Sequence, residues 1–190
     1  MWDIFFGCVG TLKNLSIDDL STPIDEISNY LVVNYGNRFS VNPRKFEEVV
    51  ASVFKNIVHN IYVTGYSNDG GIDVVLENAN KNLIGIQVKR SKNKIKVEQI
   101  RAFAGALILA GLNKGIFVTT STYQPGAMAA AEHFTSLTLP IELIDADRFY
   151  DALKLSQRQN LDIDELKRSI NKRKIPNLFD YGWDTPRNSL

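Results

Sequence analysis

The stretch "SNDGGIDVVLENANKNLIGIQVKRSK", Ser67 to Lys92, decides how the rest of the chain is read. Two segments in it, "GIDVVL" (Gly71 to Leu76) and "LIGIQVKR" (Leu83 to Arg90), have the composition of strands. The residues between them, "ENANKN", form a turn-rich loop, so the two strands are expected to pair as a hairpin. Side chains alternate along a strand, which puts Gln87 and Lys89 on one face about 6.6 Å apart, with Ile86 and Val88 on the other. Neighbouring strands lie about 4.8 Å apart, so Asp73 falls opposite Ile86 or Gln87, according to a register that differs by one residue. Asp73, Gln87 and Lys89 can therefore meet at one spot, on one face. Two polar side chains inside an apolar strand require a reason, and a shared site is one.

Outward from the hairpin, the pattern alternates between helical and strand periods. Upstream, "STPIDEISNYLVVNYG" reads as a helix with Pro23 near its first turn and Gly36 as its stop. "NPRKFEEVVASVFKNIVHN" is a strongly amphipathic helix, with Phe46, Val49, Val50, Val53, Phe54, Ile57 and Val58 on one stripe. "IYVTG" (Ile61 to Gly65) precedes the hairpin as a further strand. After the hairpin come a helix ending at Gly111, the strand "KGIFVTT", a helix beginning near Pro125, the strand "PIELID" and the helix "DADRFYDALKL". From the amphipathic helix onward the order is αβββαβαβα. It predicts an α/β fold with a mixed central sheet and helices on both faces. Residues 1–40 read as a partly helical lead-in, 41–155 as the main domain, and 156–190 as a polar helix followed by an irregular tail.

The amphipathic helix contributes its own acid. At 100° per residue the apolar stripe centres near Val50 and Ile57; Glu47 lies about 80° from that centre, while Glu48 lies roughly opposite, in solvent. A carboxylate at the edge of the buried face can reach a site on the sheet. A first-turn acid favouring the helix dipole is the plainer role for Glu47, as a turn residue after Gly70 and Gly71 is for Asp73.

Composition limits the partners. The chain has 190 residues, enough for one sizeable core, and its 44% hydrophobic and 23% charged content is that of a soluble protein. A net charge of +1 places any nucleic-acid surface in a local patch. One cysteine, Cys8, excludes an internal disulfide and fits a reducing compartment. The opening "MWDIFFGCVG" carries Asp3 and no basic lead, unlike a signal peptide. The apolar run Ala102 to Leu112 is shorter than the roughly 20 residues of a membrane span. A cytoplasmic protein with no membrane partner is expected.

Asp73, Glu47, the Gln87 amide oxygen and the Lys89 ammonium form a chemically coherent set. Carboxylate and amide oxygens are hard ligands suited to Mg²⁺, with Mn²⁺ as a substitute. A protonated lysine cannot bind the metal, but it can stabilise charge on a phosphate or hold a water. The set suits metal-assisted phosphodiester hydrolysis.

With these residues in place, "FEEVVASVF", "NDGGIDVV", "IQVKR" and "KGIFVTTSTY" together resemble the Mrr-type restriction endonuclease domain of the PD-(D/E)xK nuclease superfamily, from about Ile27 to Leu155. The resemblance implies a restriction endonuclease-like fold, Mg²⁺-dependent DNA cleavage and a role in DNA restriction. By position, Asp73 takes the place of the motif aspartate, Gln87 and Lys89 that of the (D/E/Q)-x-K pair, and Glu47 that of the helix glutamate. Glutamine in the middle slot departs from the superfamily's usual acid, and the lost charge leaves Glu47 more important for the metal. A catalytically inactive DNA-binding module on the same fold is the alternative function.

Other residues extend or test this reading. "KRSKNKIK" carries Lys89, Arg90, Lys92, Lys94 and Lys96 without an intervening acid, and it leaves the proposed site directly. A phosphate-contacting loop is expected there, joined by Arg101 in the following helix. "TTSTYQPG" presents either hydroxyls and helix amides to a phosphate or simply a helix start. His59 and His133 lack metal-ligand spacing and read as structural. No phosphate-binding loop of the P-loop type is present, so no nucleotide cofactor is expected. One site of this kind cuts one strand, so double-strand cleavage calls for a homodimer or two successive events.

Overall fold

The computed structural model describes residues 21–55, 60–63 and 70–157. Helix α1 (Ile24–Val33) leads through a 3-10 turn (Tyr35–Phe39) into α2 (Pro43–Phe54). Strands β1 (Asn60–Val63), β2 (Val74–Glu77) and β3 (Leu83–Lys89) follow. Then come α3 (Val97–Leu109), β4 (Gly115–Thr119), α4 (Pro125–Ser136), β5 (Ile141–Ile144) and α5 (Ala146–Ser156). Among the described residues the strands form one sheet in the order β1-β2-β3-β4-β5. The first three pair antiparallel and the last three parallel, so β3 is both central and the strand at which direction changes. Lys89 is therefore not an edge-strand lysine.

Local chemistry accounts for the element ends. Asn42 caps α2 by accepting from Arg44 N at 2.9 Å, and Pro43 occupies the first turn, where its missing N–H costs nothing. Asn78 closes the β2–β3 hairpin by accepting from Asn80 N and Asn82 N at 3.0 and 2.9 Å. At the end of α3, Leu112 N donates to Leu107 O and Gly111 N to Ile108 O, with Gly111 at φ +69°, a left-handed helix stop that favours glycine.

The sheet is covered on both faces. Phe46, Val49, Val50, Val53 and Phe54 of α2 pack with Ile27 and Leu31 of α1, Phe149 and Leu153 of α5, and Val74, Leu76, Ile84 and Ile86 of the sheet. On the other face Ile100, Phe103, Ala104 and Leu107 of α3 and Ala127 and Ala131 of α4 pack with Phe117 and Ile141. The lead-in helix α1 thus contributes to the same core as α2.

Three expectations shift. β1 starts at Asn60 and is described to Val63, and β2 starts at Val74 rather than Gly71. Gly70 and Gly71 have φ of +64° and +93°, so the chain is still turning there and Asp73 precedes the strand. Glu48 is not in open solvent: its side chain is 31% exposed and its carboxylate meets Lys45 Nζ at 3.1 Å. Helices α1 and α5 pack beside α2 and narrow its solvent face. The readings of Ile57, Val58, His59 and the tail from 158 lie outside the described residues.

Helix α3 lies so close to the sheet that two glycines are required beneath it. A Cβ on Gly85 would stand 2.6 Å from Leu107 Cδ2, and one on Gly115 would stand 2.7 Å from Phe103 Cε1. Gly115→Ala is expected to cost about 1–3 kcal/mol through overpacking. Denaturant unfolding measures this directly, and an unchanged midpoint would refute it.

Candidate active site

Asp73 sits where the antiparallel ladder between β2 and β3 opens. Val74 pairs with Ile86, and continuing that register puts Asp73 level with Gln87. Asp73 N donates to Ile86 O at 2.8 Å, while its carboxylate Oδ2 accepts from Val88 N at 2.6 Å. The carboxylate takes over the ladder position that the turning backbone has left. It is held against β3 between Gln87 and Lys89, the two polar residues of that strand. The Gln87 amide lies over Gly71, whose absent Cβ would be 3.1 Å from Nε2.

Gln87 and Lys89 share the face of Gly85, the α3 side of the sheet. Their parallel partners on β4 are Phe117 and Thr119. Lys89 is exposed at the carboxyl end of β3. Its backbone is not loose: Lys89 O accepts from Thr119 Oγ1 at 2.9 Å and from Thr120 N at 3.3 Å. The structure thus brings Asp73, Gln87 and Lys89 to one strand end.

Glu47 is placed differently. Its helix packs on the face to which Ile84, Ile86 and Val88 point, opposite that of Gln87 and Lys89. Its carboxylate pairs with Arg44 Nη1 at 3.0 Å, and its side chain is 20% exposed. Among the described residues no group of three or more His, Cys, Asp or Glu side chains forms a metal-binding cluster. His133 is exposed near the end of α4.

The basic run forms a pinned loop. Ile95 is fully buried and bridges Tyr123, with Ile95 N donating to Thr122 O and Gln124 N to Ile95 O. Lys92, Lys94 and Lys96 are exposed around this anchor, and so is Arg101 in α3. Arg90 departs from the expectation of a phosphate contact: its Nη1 donates to Phe39 O and Val41 O.

The hydroxyls of "TTST" also have a use that sequence reading missed. Thr120 Oγ1 accepts from Ser91 N at 2.9 Å and donates to Ser91 O at 3.0 Å, and Ser121 Oγ donates to Lys92 O at 3.4 Å. They fasten the basic loop to the end of β4. Tyr123 supports the same corner. Its O–H donates to Phe117 O at 2.6 Å, and burial pushes its phenol well above the ordinary range. The available signal was a cluster of hydroxyls directly after a fully buried strand, residues that need partners if they are not at the surface.

A central mixed sheet with an aspartate and a Q-x-K pair at one strand end is the arrangement of a restriction endonuclease-like nuclease fold. The Mrr_cat restriction endonuclease family model matches residues 39–153, and the chain belongs to that family. A curated relative is the Type IV methyl-directed restriction enzyme EcoKMrr of Escherichia coli (strain K12), 29% identical over 119 residues. That match covers 59% of this chain and 38% of the relative, so the chain spans well under half of EcoKMrr. Among solved structures, the DNA modification-dependent restriction endonuclease AspBHI superposes with a TM-score of 0.51 at 19% identity, over 72% of this chain and 36% of that one. At that identity the likeness shows the fold alone.

Proposed function

We propose that the chain is a metal-dependent DNA endonuclease acting in restriction of foreign DNA. One observation carries the reading: the Asp73 carboxylate is bound to Val88 N, 2.6 Å away, between Gln87 and Lys89 on a central strand. A structural turn aspartate needs no such neighbours. The donor chemistry fits Mg²⁺ or Mn²⁺, since Asp73 and Gln87, level with each other on neighbouring chain segments, both carry hard oxygens. Glu47, carried by α2 on the opposite face and paired with Arg44, is the proposed third ligand. When bound, the metal supplies a Lewis acid for the phosphate and lowers the pKa of a bound water.

The chain's own residues do the rest. Asp73 and Gln87 fix the metal position at the strand end. The Lys89 ammonium stabilises charge developing on the phosphate or holds the attacking water. Lys92, Lys94, Lys96 and Arg101 contact the DNA backbone and fix its path without reading sequence. Two copies, or two successive events, are needed to cut both strands. A cytoplasmic setting is part of the proposal; among the described residues no helix is long and apolar enough to cross a membrane. Residues 41–155 are the proposed nuclease unit.

Supercoiled plasmid, methylated and unmethylated, is incubated with the full chain in Mg²⁺, Mn²⁺ or EDTA. Nicking in either metal and none in EDTA is the expected result. EcoKMrr is named as methyl-directed, so faster cutting of the methylated plasmid would extend that property to this chain. Salt-sensitive DNA binding without cutting under any condition would overturn the endonuclease reading and favour a binding module on a nuclease fold.

A further inference from the structure

Two arginines cross, in opposite directions, between the segment leading into α2 and the strand ends that carry the site. Arg38, in the 3-10 turn, donates from Nε to Thr120 O at 3.1 Å, just beyond β4, and from Nη1 to Tyr35 O at 3.0 Å. Its guanidinium carbon lies 4.6 Å and 4.4 Å from the ring centroids of Tyr35 and Phe39. Arg90, directly after Lys89, reaches back. Its Nη1 donates to Phe39 O and, at 2.7 Å, to Val41 O. The Phe39 ring also lies 5.6 Å from the Lys92 ammonium. The paired hydrogen bonds of Thr120 with Ser91 close the circuit between the two strand ends.

This circuit ends at both halves of the candidate site. Val41 is fully buried, and the next residue, Asn42, is the cap of α2, one turn and a half before Glu47. Arg90 adjoins Lys89 and follows the segment that binds Asp73. Helix α2 and strand β3 meet elsewhere through apolar side chains, whose contacts resist separation more than sliding. Directed bonds from a planar guanidinium to backbone carbonyls remove that freedom, and the ammonium of a lysine, on a flexible stem, holds such bonds less rigidly. Metal ligands must hold their geometry closely, so small slides of α2 matter to Glu47.

We propose that Arg90 and Arg38 are positioning residues that set α2, and Glu47 with it, against Asp73 and Lys89. The metal site is then assembled by docking of Tyr35–Val41 onto the ends of β3 and β4. The inference rests on the proposed metal-dependent nuclease.

The test uses the full chain as wild type, Arg90→Ala, Arg90→Lys and Arg38→Lys. Each is followed by circular dichroism, calorimetric titration with Mn²⁺, DNA binding in EDTA across a salt series, and single-turnover nicking. Folded Arg90→Ala is expected to need at least tenfold more Mn²⁺ for half-saturation. Its nicking should fall by a similar factor at low Mn²⁺ and recover with excess Mn²⁺. Its DNA affinity and salt slope in EDTA should stay within twofold of wild type. Arg90→Lys and Arg38→Lys are expected to show smaller shifts of the same kind, and they carry the test if Arg90→Ala does not fold. Mn²⁺ affinity within twofold of wild type in the folded variants overturns the inference alone. A reduced DNA affinity and salt slope with unchanged metal affinity also overturns it, by making Arg90 a phosphate contact. A wild type that neither binds Mn²⁺ nor cuts overturns the nuclease reading, and the positioning role falls with it.

Discussion

Lys89→Ala is expected to lower single-turnover nicking by about 10²–10³-fold, the usual loss when one group aimed at transition-state charge is removed. The fold should survive. The Lys89 side chain is exposed, and its backbone carbonyl remains held by Thr119 Oγ1 and Thr120 N. Exposed substitutions of this kind usually change stability by no more than about 0.5 kcal/mol. The loss therefore has to appear in the rate at saturating DNA and metal, with an unchanged unfolding midpoint. Lys89→Arg keeps the charge but spreads it over a wider planar group, and it should recover only part of the rate. Asp73→Asn should be similarly impaired, although it retains an oxygen that can accept from Val88 N. Cleavage by folded Lys89→Ala within tenfold of wild type would remove Lys89 from the chemistry.

Phe117→Ala is expected to cost about 3–5 kcal/mol of folding stability, the range for emptying a buried aromatic site. Phe117 is 1% exposed on β4. Its ring meets Phe103 of α3 edge-on with centroids 5.6 Å apart, and Tyr123 at 6.2 Å. These rings lie beneath the loop that carries the lysines, and Phe117 is level with Gln87 on the neighbouring strand. A domain of this size is stable by about 5–15 kcal/mol, so the variant should remain folded only in part or with little margin. Denaturant unfolding of wild type and variant measures the difference. A loss below 1 kcal/mol would mean that α3 closes over the vacated space, contrary to the tight fit already evident at Gly85 and Gly115.

Much of the architecture was legible because its signals are local. Phe46, Val49, Val50, Val53 and Phe54 repeat at helical spacing, and all five are buried in α2. "ENANKN" reads as a hairpin loop because a short polar side chain can close a turn on its own backbone, as Asn78 does. Even the central position of β3 could be argued, since the elements after it had to cover its second side. The candidate site was legible to the extent that period two aligns Gln87 with Lys89 and a hairpin returns Asp73 to them.

The remainder depended on partners far away in the chain. Glu48 appeared solvated on a helical wheel, but α1 and α5 narrow the exposed face of its helix and Lys45 holds it. Arg90 looked like one more charge in a basic run, yet its guanidinium lies on Phe39 O and Val41 O, about fifty residues upstream. The hydroxyls after β4 served two readings equally until their acceptors on Ser91 and Lys92 were in view. The sequence by itself determined the elements, their order and the two-sided sheet, and it put forward the residue types of the candidate site, because period and turn chemistry act within a few residues. Only the tertiary structure decided that Asp73 binds Val88 N, that Glu47 rides on the opposite face, and that two arginines join the lead-in to the strand ends. Each of these is a directed contact between distant segments, set by how the layers pack and not by any local preference.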